Sequence, residues 1–258
     1  RSSSVRTDTT KVIMMKKSLL LAGAAVLALS SAATAATFTA GGTPGIIPQT
    51  GQTNEVLDNV FGMPSTRGLF GSTVSISDAA TIDVNYFGYE AGFTNSFSIT
   101  GTSGTVAFDT DDNFFVNPGD PVNSNNSYYA LDEMTPLSSQ SITVAAGILD
   151  FSFMTSGGGS TPAHTVDNDP LSANANTDNT ATPAIANFFT SISADARTVF
   201  LFFDDAGGGD DDNHDDFVVS LSLVSGQMPE PVPLPAGGLL LLGGLGAFAM
   251  ARRRKTKA

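Results

Sequence analysis

Between residues 36 and 235 the chain reads as short runs of Thr, Ser, Val, Ile and Phe, broken every few positions by Gly, Asn or Asp. That texture predicts strands at Thr73–Ile76, Thr81–Tyr89, Phe93–Thr100, Thr105–Phe108, Ser141–Val144, Leu149–Met154, Thr198–Phe203 and Phe217–Val224. In the last of these, Phe217, Val219, Leu221 and Leu223 alternate with Val218, Ser220 and Ser222. One face is apolar and the other partly polar, the pattern of an outer sandwich strand. Val199 to Phe203 is apolar on both faces and predicts a central strand. Asn54 is placed to cap a short helix over Glu55–Val60, the one helical candidate of this body.

Eight such strands predict an all-β fold, an antiparallel, jelly-roll-like β-sandwich. Residues 156–183 lose nearly all large apolar side chains and fill with Gly, Ser, Thr, Asn, Asp and Pro. This predicts a polar, mobile insertion, since the segment after it supplies too few strands for a second core. No repeat of 20 to 50 residues is visible, which excludes solenoids and propellers.

The two ends follow other rules. Met15-Lys16-Lys17 supplies a positive start, Leu19 to Leu29 an apolar run, and Ala33, Ala35 and Ala36 small residues around a cleavage point before Ala36. This predicts a helical signal peptide over 14–35, handled by the Sec machinery and signal peptidase, with 1–13 as an upstream extension. The other end, 229–258, carries Val232-Pro233-Leu234-Pro235-Ala236, an apolar Gly/Leu-rich run over 237–251, and the basic cluster Arg252, Arg253, Arg254 and Lys255. About fifteen apolar residues at about 1.5 Å each reach about 23 Å, a marginal transmembrane helix. The basic cluster stops transfer and keeps the tail cytoplasmic, with the body 36–228 outside. The prolines hold the chain extended ahead of that helix, the shape a processing enzyme binds.

Motif, helix and basic end, in this order, resemble the VPLPA-CTERM sorting signal, a variant of the PEP-CTERM class of Gram-negative bacteria. The resemblance covers about the last 27 residues. It implies an exosortase-type membrane protease as partner, removal of the tail, and delivery to the cell surface or extracellular matrix. A membrane anchor that is never cut is the alternative.

Composition sharpens this picture. The 258 residues contain 25 acidic and 12 basic side chains, a net charge of −13, and no Cys. Disulfides, thiol nucleophiles and Cys-ligated zinc are excluded, and the surplus of carboxylates argues against a nucleic-acid partner. Ten of the basic residues fall in the two ends. Residues 36–235 keep Arg67 and Arg197 against 24 acidic residues, a net charge near −22. Such a surface attracts cations.

The densest charge runs from Asp204 to Asp216, between two predicted core strands. Asp204, Asp205, Asp210, Asp212 and Asp216, with the Gly run at 207–209, offer the oxygens and tight turns that Ca²⁺ takes. Exposed solvated turns are the alternative. This acidic hairpin resembles one that recurs in secreted bacterial surface proteins, as does Gly88–Phe97; neither resemblance implies an activity. A weaker calcium candidate is Asp109, Asp111, Asn113, the Phe115 carbonyl, Asn117 and Asp120, which share EF-hand spacing but place Phe114 where Gly belongs and lack flanking helices.

Catalysis has little material. His164 lies in the polar segment, and His214 lies among five Asp, a setting for neither a neutral zinc ligand nor a ready general base. No Gly-x-Ser-x-Gly elbow is present. Trp is absent, so sugar-stacking platforms would fall to Tyr86, Tyr89, Tyr128 or Tyr129, although Tyr128-Tyr129 fits a packing element better. The sequence therefore predicts a non-enzymatic surface or matrix component that meets exopolysaccharide. A calcium-dependent carbohydrate-binding module comes second and a polysaccharide hydrolase third.

Overall fold

The structure is a computed structural model that describes residues 35–49, 53–110, 122–124, 127–157, 162–178, 185–207 and 212–224. The sorting motif, the basic cluster, the C-terminal apolar run and most of the signal segment, Ala33 included, lie outside these. Among the described residues no helix is long and apolar enough to cross a membrane.

The described residues form fourteen strands and one helix. The first half contains β1 (Phe38–Ile47), α1 (Glu55–Val60), β2 (Thr66–Ile76), β3 (Ala80–Glu90), β4 (Asn95–Gly101), β5 (Gly104–Asp109), β6 (Val122–Ser124) and β7 (Ser127–Tyr129). The second half contains β8 (Ser138–Val144), β9 (Gly147–Ile148), β10 (Asp150–Thr155), β11 (His164–Asp167), β12 (Asn187–Ile192), β13 (Thr198–Asp204) and β14 (Phe217–Leu223). The strands build two antiparallel sheets. The larger has the order β1-β2-β12-β13-β14-β3-β7-β6, with β8 also on β3 and β9 on β2; the smaller has the order β11-β10-β4-β5.

The all-β sandwich read from the strand texture is present, and alternation explains its core. Val84, Tyr86, Leu201, Phe203, Val219 and Leu221 of the large sheet share one buried cluster with Phe97, Ile99, Phe151 and Phe153 of the small sheet. Phe153 sits at its centre, stacked on Phe203 at 4.8 Å between centroids and touching Phe97 at 5.0 Å. Each such side chain, fully removed from water, contributes on the order of 1.5–3 kcal/mol.

The opposite face of the large sheet is also covered. Val56, Leu57 and Val60 of α1 pack with Phe87, Phe189, Phe202 and Val218 in a second cluster. Asn54 caps the helix as expected, its Oδ1 accepting from Leu57 N at 2.5 Å. This layer corrects the expectation for Phe217–Val224. β14 pairs with β13 on one side and β3 on the other, and Val218 lies under the helix layer, so it is an interior strand. β13 is central as expected.

While Asp169–Leu171 are exposed, part of the segment 156–183 is built into the fold. It contributes β11, which pairs with β10, and then Asn168, fully buried. The Asn168 Oδ1 accepts from Val74 N at 2.7 Å, while its Nδ2 donates to the carbonyls of Val74 at 2.8 Å and Leu149 at 2.7 Å. A side-chain amide thus pairs with the backbone of β2 as a strand would.

Candidate functional site: a buried carboxylate–imidazole cluster

The described part of the acidic run between β13 and β14, residues 204–207 and 212–216, folds inward rather than forming an exposed turn. Asp204, Asp205, Asp212, His214, Asp215 and Asp216 are all buried. Charges in such a place need partners, because isolated burial costs several kcal/mol per ion.

Part of the loop is satisfied by closing the fold around itself. Asp205 N donates to Asp216 Oδ2 at 2.8 Å, and Asn95 Nδ2 of β4 donates to Asp205 Oδ2 at 2.7 Å. Asp215 Oδ2 accepts from Glu55 N of α1 at 2.7 Å, and the Asn213 carbonyl accepts from Asn54 Nδ2, also at 2.7 Å. Gln49 N donates to the Asp212 carbonyl at 3.2 Å. The loop is therefore the seam at which β4, α1 and the segment after β1 meet.

A second group of side chains converges on one point. Asp204 Oδ1 accepts from the backbone N–H groups of Ala206, at 2.9 Å, and Gly207, at 2.6 Å. Gly207 has φ +67°, and a Cβ there would lie 2.0 Å from the Ile185 carbonyl oxygen, so this turn requires glycine. With Oδ1 occupied, Asp204 turns Oδ2 toward His214 Nδ1, 3.9 Å away. The same nitrogen lies 3.3 Å from Asp212 Oδ1. One ligand atom from each of Asp204, Asp212 and His214 lies within 4.8 Å of the others. On its far side, His214 Nε2 is 2.9 Å from Asn187 Oδ1 of β12. Phe70 and Phe189 flank the imidazole at 5.4 and 6.2 Å.

Burial pushes the Asp204 carboxyl above its ordinary value, against the opposing pull of His214 and the two backbone N–H groups. Burial also pushes Asp216 well upward, helped by the charges of Asp205, Asp204 and Asp215.

Of the calcium candidates, Asp204 and Asp212 are brought together. Asp205 and Asp216 are joined to each other and to Asn95, and Asp210 lies outside the described residues. In the EF-hand-like candidate, Asp109 ends β5, while Asp111, Asn113 and Asp120 also lie outside them. The cluster adds His214, which the sequence reading sets aside, and Asn187, for which the sequence carries no signal. Tyr86, Tyr128 and Tyr129 are buried, and the Tyr128-Tyr129 pair forms β7 as a packing element.

A second feature is polar and open. The four-stranded sheet carries a groove of about 630 Å³ bordered by Ser98, Thr100, Asp150, Ser152, Asp167 and Asp169. Ile148, 53% exposed, stands at its rim.

Sheets, inward-folded loop and cluster together define an all-β sandwich with a buried carboxylate–imidazole cluster at one seam. No family model and no curated protein matches the chain. Among solved structures, a high-affinity mannose-binding lectin of Ralstonia solanacearum is similar at a TM-score of 0.32 and 13% identity, over 59% of this chain and 95% of that one. That likeness is too slight to carry an argument about fold or ligand.

Proposed function

We propose that this chain is an exported protein of the cell surface or extracellular matrix of a Gram-negative bacterium, with a structural or adhesive rather than catalytic role. In this reading the Sec machinery and signal peptidase handle 14–35. An exosortase-type membrane protease then recognises Val232–Ala236 while the apolar run holds the chain in the inner membrane. The observation that carries the proposal is the three-part C-terminal order of proline motif, apolar run and Arg252-Arg253-Arg254-Lys255. The nearly base-free body between the two ends suits a solvated, cation-rich exterior. Replacing Pro233 and Pro235 together by Ala tests this in cells. The variant is expected to stay in the membrane fraction and lose surface delivery; delivery at the unaltered level would contradict the proposal.

A second reading rests on the groove of the four-stranded sheet. Three carboxylates and a row of hydroxyls present acceptors and donors to a polyhydroxylated ligand, so the adhesive partner would be a carbohydrate such as exopolysaccharide. A glycan array on the purified protein should give hits that Asp150→Lys removes. A silent array would leave the structural role alone, and hits indifferent to Asp150 would place the binding elsewhere.

A further inference from the structure

We propose that Asp204, Asp212 and His214 bind a first-row divalent transition ion of the zinc class, rather than the calcium that the acidic run alone suggests. The donor chemistry decides between them. Calcium takes six to eight oxygen ligands, whereas imidazole nitrogen with carboxylate oxygen suits zinc and its neighbours.

The inward-facing atoms point to a ligand. Asp204 and His214 are fully buried, and neither Asp204 Oδ2 nor His214 Nδ1 has a hydrogen-bond partner. The remaining atoms of both side chains are already used. Asp204 Oδ1 is held by two backbone N–H groups, and Nε2 faces the Asn187 carbonyl oxygen. Asn187 turns its Nδ2 toward the Ile185 carbonyl at 3.5 Å, which leaves Oδ1 as the atom that accepts from His214. An acceptor there takes the Nε2 proton in a hydrogen bond and leaves Nδ1, which faces the two carboxylates, as the nitrogen available to a metal ion. A second-shell oxygen that fixes the free nitrogen of a histidine is how metal-binding imidazoles are oriented.

Charge and spacing agree with this assignment. Two carboxylates and a neutral imidazole balance a 2+ ion, whereas an imidazolium alone would leave one buried negative charge in excess. Ligands about 2.1 Å from a tetrahedral ion stand about 3.4 Å apart. The observed 3.3 and 3.9 Å bracket that spacing. The Asp212 side chain, 10% exposed against 0% for its two partners, marks the side from which an ion arrives. The inference is independent of export, since a chain retained in the cell would bind equally.

The test uses the full chain, stripped with chelator and titrated calorimetrically with Zn²⁺ or Ca²⁺, with Tm followed in parallel. One Zn²⁺ per chain is expected, with a rise in Tm that Ca²⁺ at the same concentration does not produce. His214→Asn, which tolerates the positive φ at this position, should abolish saturable uptake. Asn187→Ala should weaken it by about 10–100-fold, and His164→Gln should leave it unchanged. Should His214→Asn fail to fold, Asp212→Asn at the rim replaces it, with the same loss expected. Absence of saturable Zn²⁺ uptake would reduce the cluster to an ion pair and overturn the proposal. So would uptake that survives the ligand substitutions, or a Ca²⁺ response as large as that to Zn²⁺.

Discussion

His214 holds a φ of 62°, a left-handed backbone that costs a side chain other than glycine on the order of 1–3 kcal/mol. Contacts on every side enforce it: Asn187 on Nε2, Asp212 at Nδ1, and the Phe70 and Phe189 rings on the flanks. Asp216, two residues on, is stabilised differently. Its carboxyl is raised in the folded state, so the native protein holds a proton that the unfolded chain has released. The stability this contributes is complete below the unfolded value of about 4 and is lost as pH rises through the folded value. In chelator, Tm should therefore fall as pH is raised from about 4 toward neutrality. Asp216→Asn keeps an acceptor for Asp205 N and removes the carboxyl whose protonation differs between the folded and unfolded states. It should raise Tm at neutral pH and flatten part of that slope in scanning calorimetry; a lower Tm at neutral pH would contradict this account.

At the scale of elements, the two sheets are joined by side chains as well as by apolar packing. Asn168, after β11, reaches the backbone of β2 and the Leu149 carbonyl with three bonds inside the protein. Asn168→Ala strands these buried groups and should cost about 2–4 kcal/mol, measured by urea denaturation; a loss under 1 kcal/mol would mean that water replaces the amide. This bond set also shows what a sequence can disclose. The helix over Glu55–Val60 and the strands around Ile82–Tyr86, Phe97–Ile99 and Val199–Phe203 were legible because capping and local runs of strand-forming residues announce them. β1 was not, since Phe-Thr-Ala-Gly-Gly-Thr-Pro-Gly carries little strand signal and the strand exists through its pairing with β2. The interior position of β14 depends on α1, some 160 residues earlier, covering Val218. The cluster was half legible: the acidic run marked Asp204 and Asp212. The inward turn of His214 and its bond to Asn187 arise from a contact 27 residues apart that no local pattern encodes.

For the whole molecule, the distribution of charge organises the account. Residues 36–235 carry two basic side chains against 24 acidic ones, and the basic residues at the ends lie in segments that the export reading removes or leaves in the membrane. Among the described residues, His214 Nδ1 lies within ion-pair distance of both Asp204 and Asp212. In the export reading, a sandwich with this balance meets an exterior that supplies cations. The central claim is that the chain reaches the surface by losing both ends. Intact-mass spectrometry of protein recovered from the cell surface tests it most directly. The account predicts a species that begins at Ala36 and lacks the apolar run and Arg252-Arg253-Arg254-Lys255; surface material that retains the complete arginine-rich tail would contradict it.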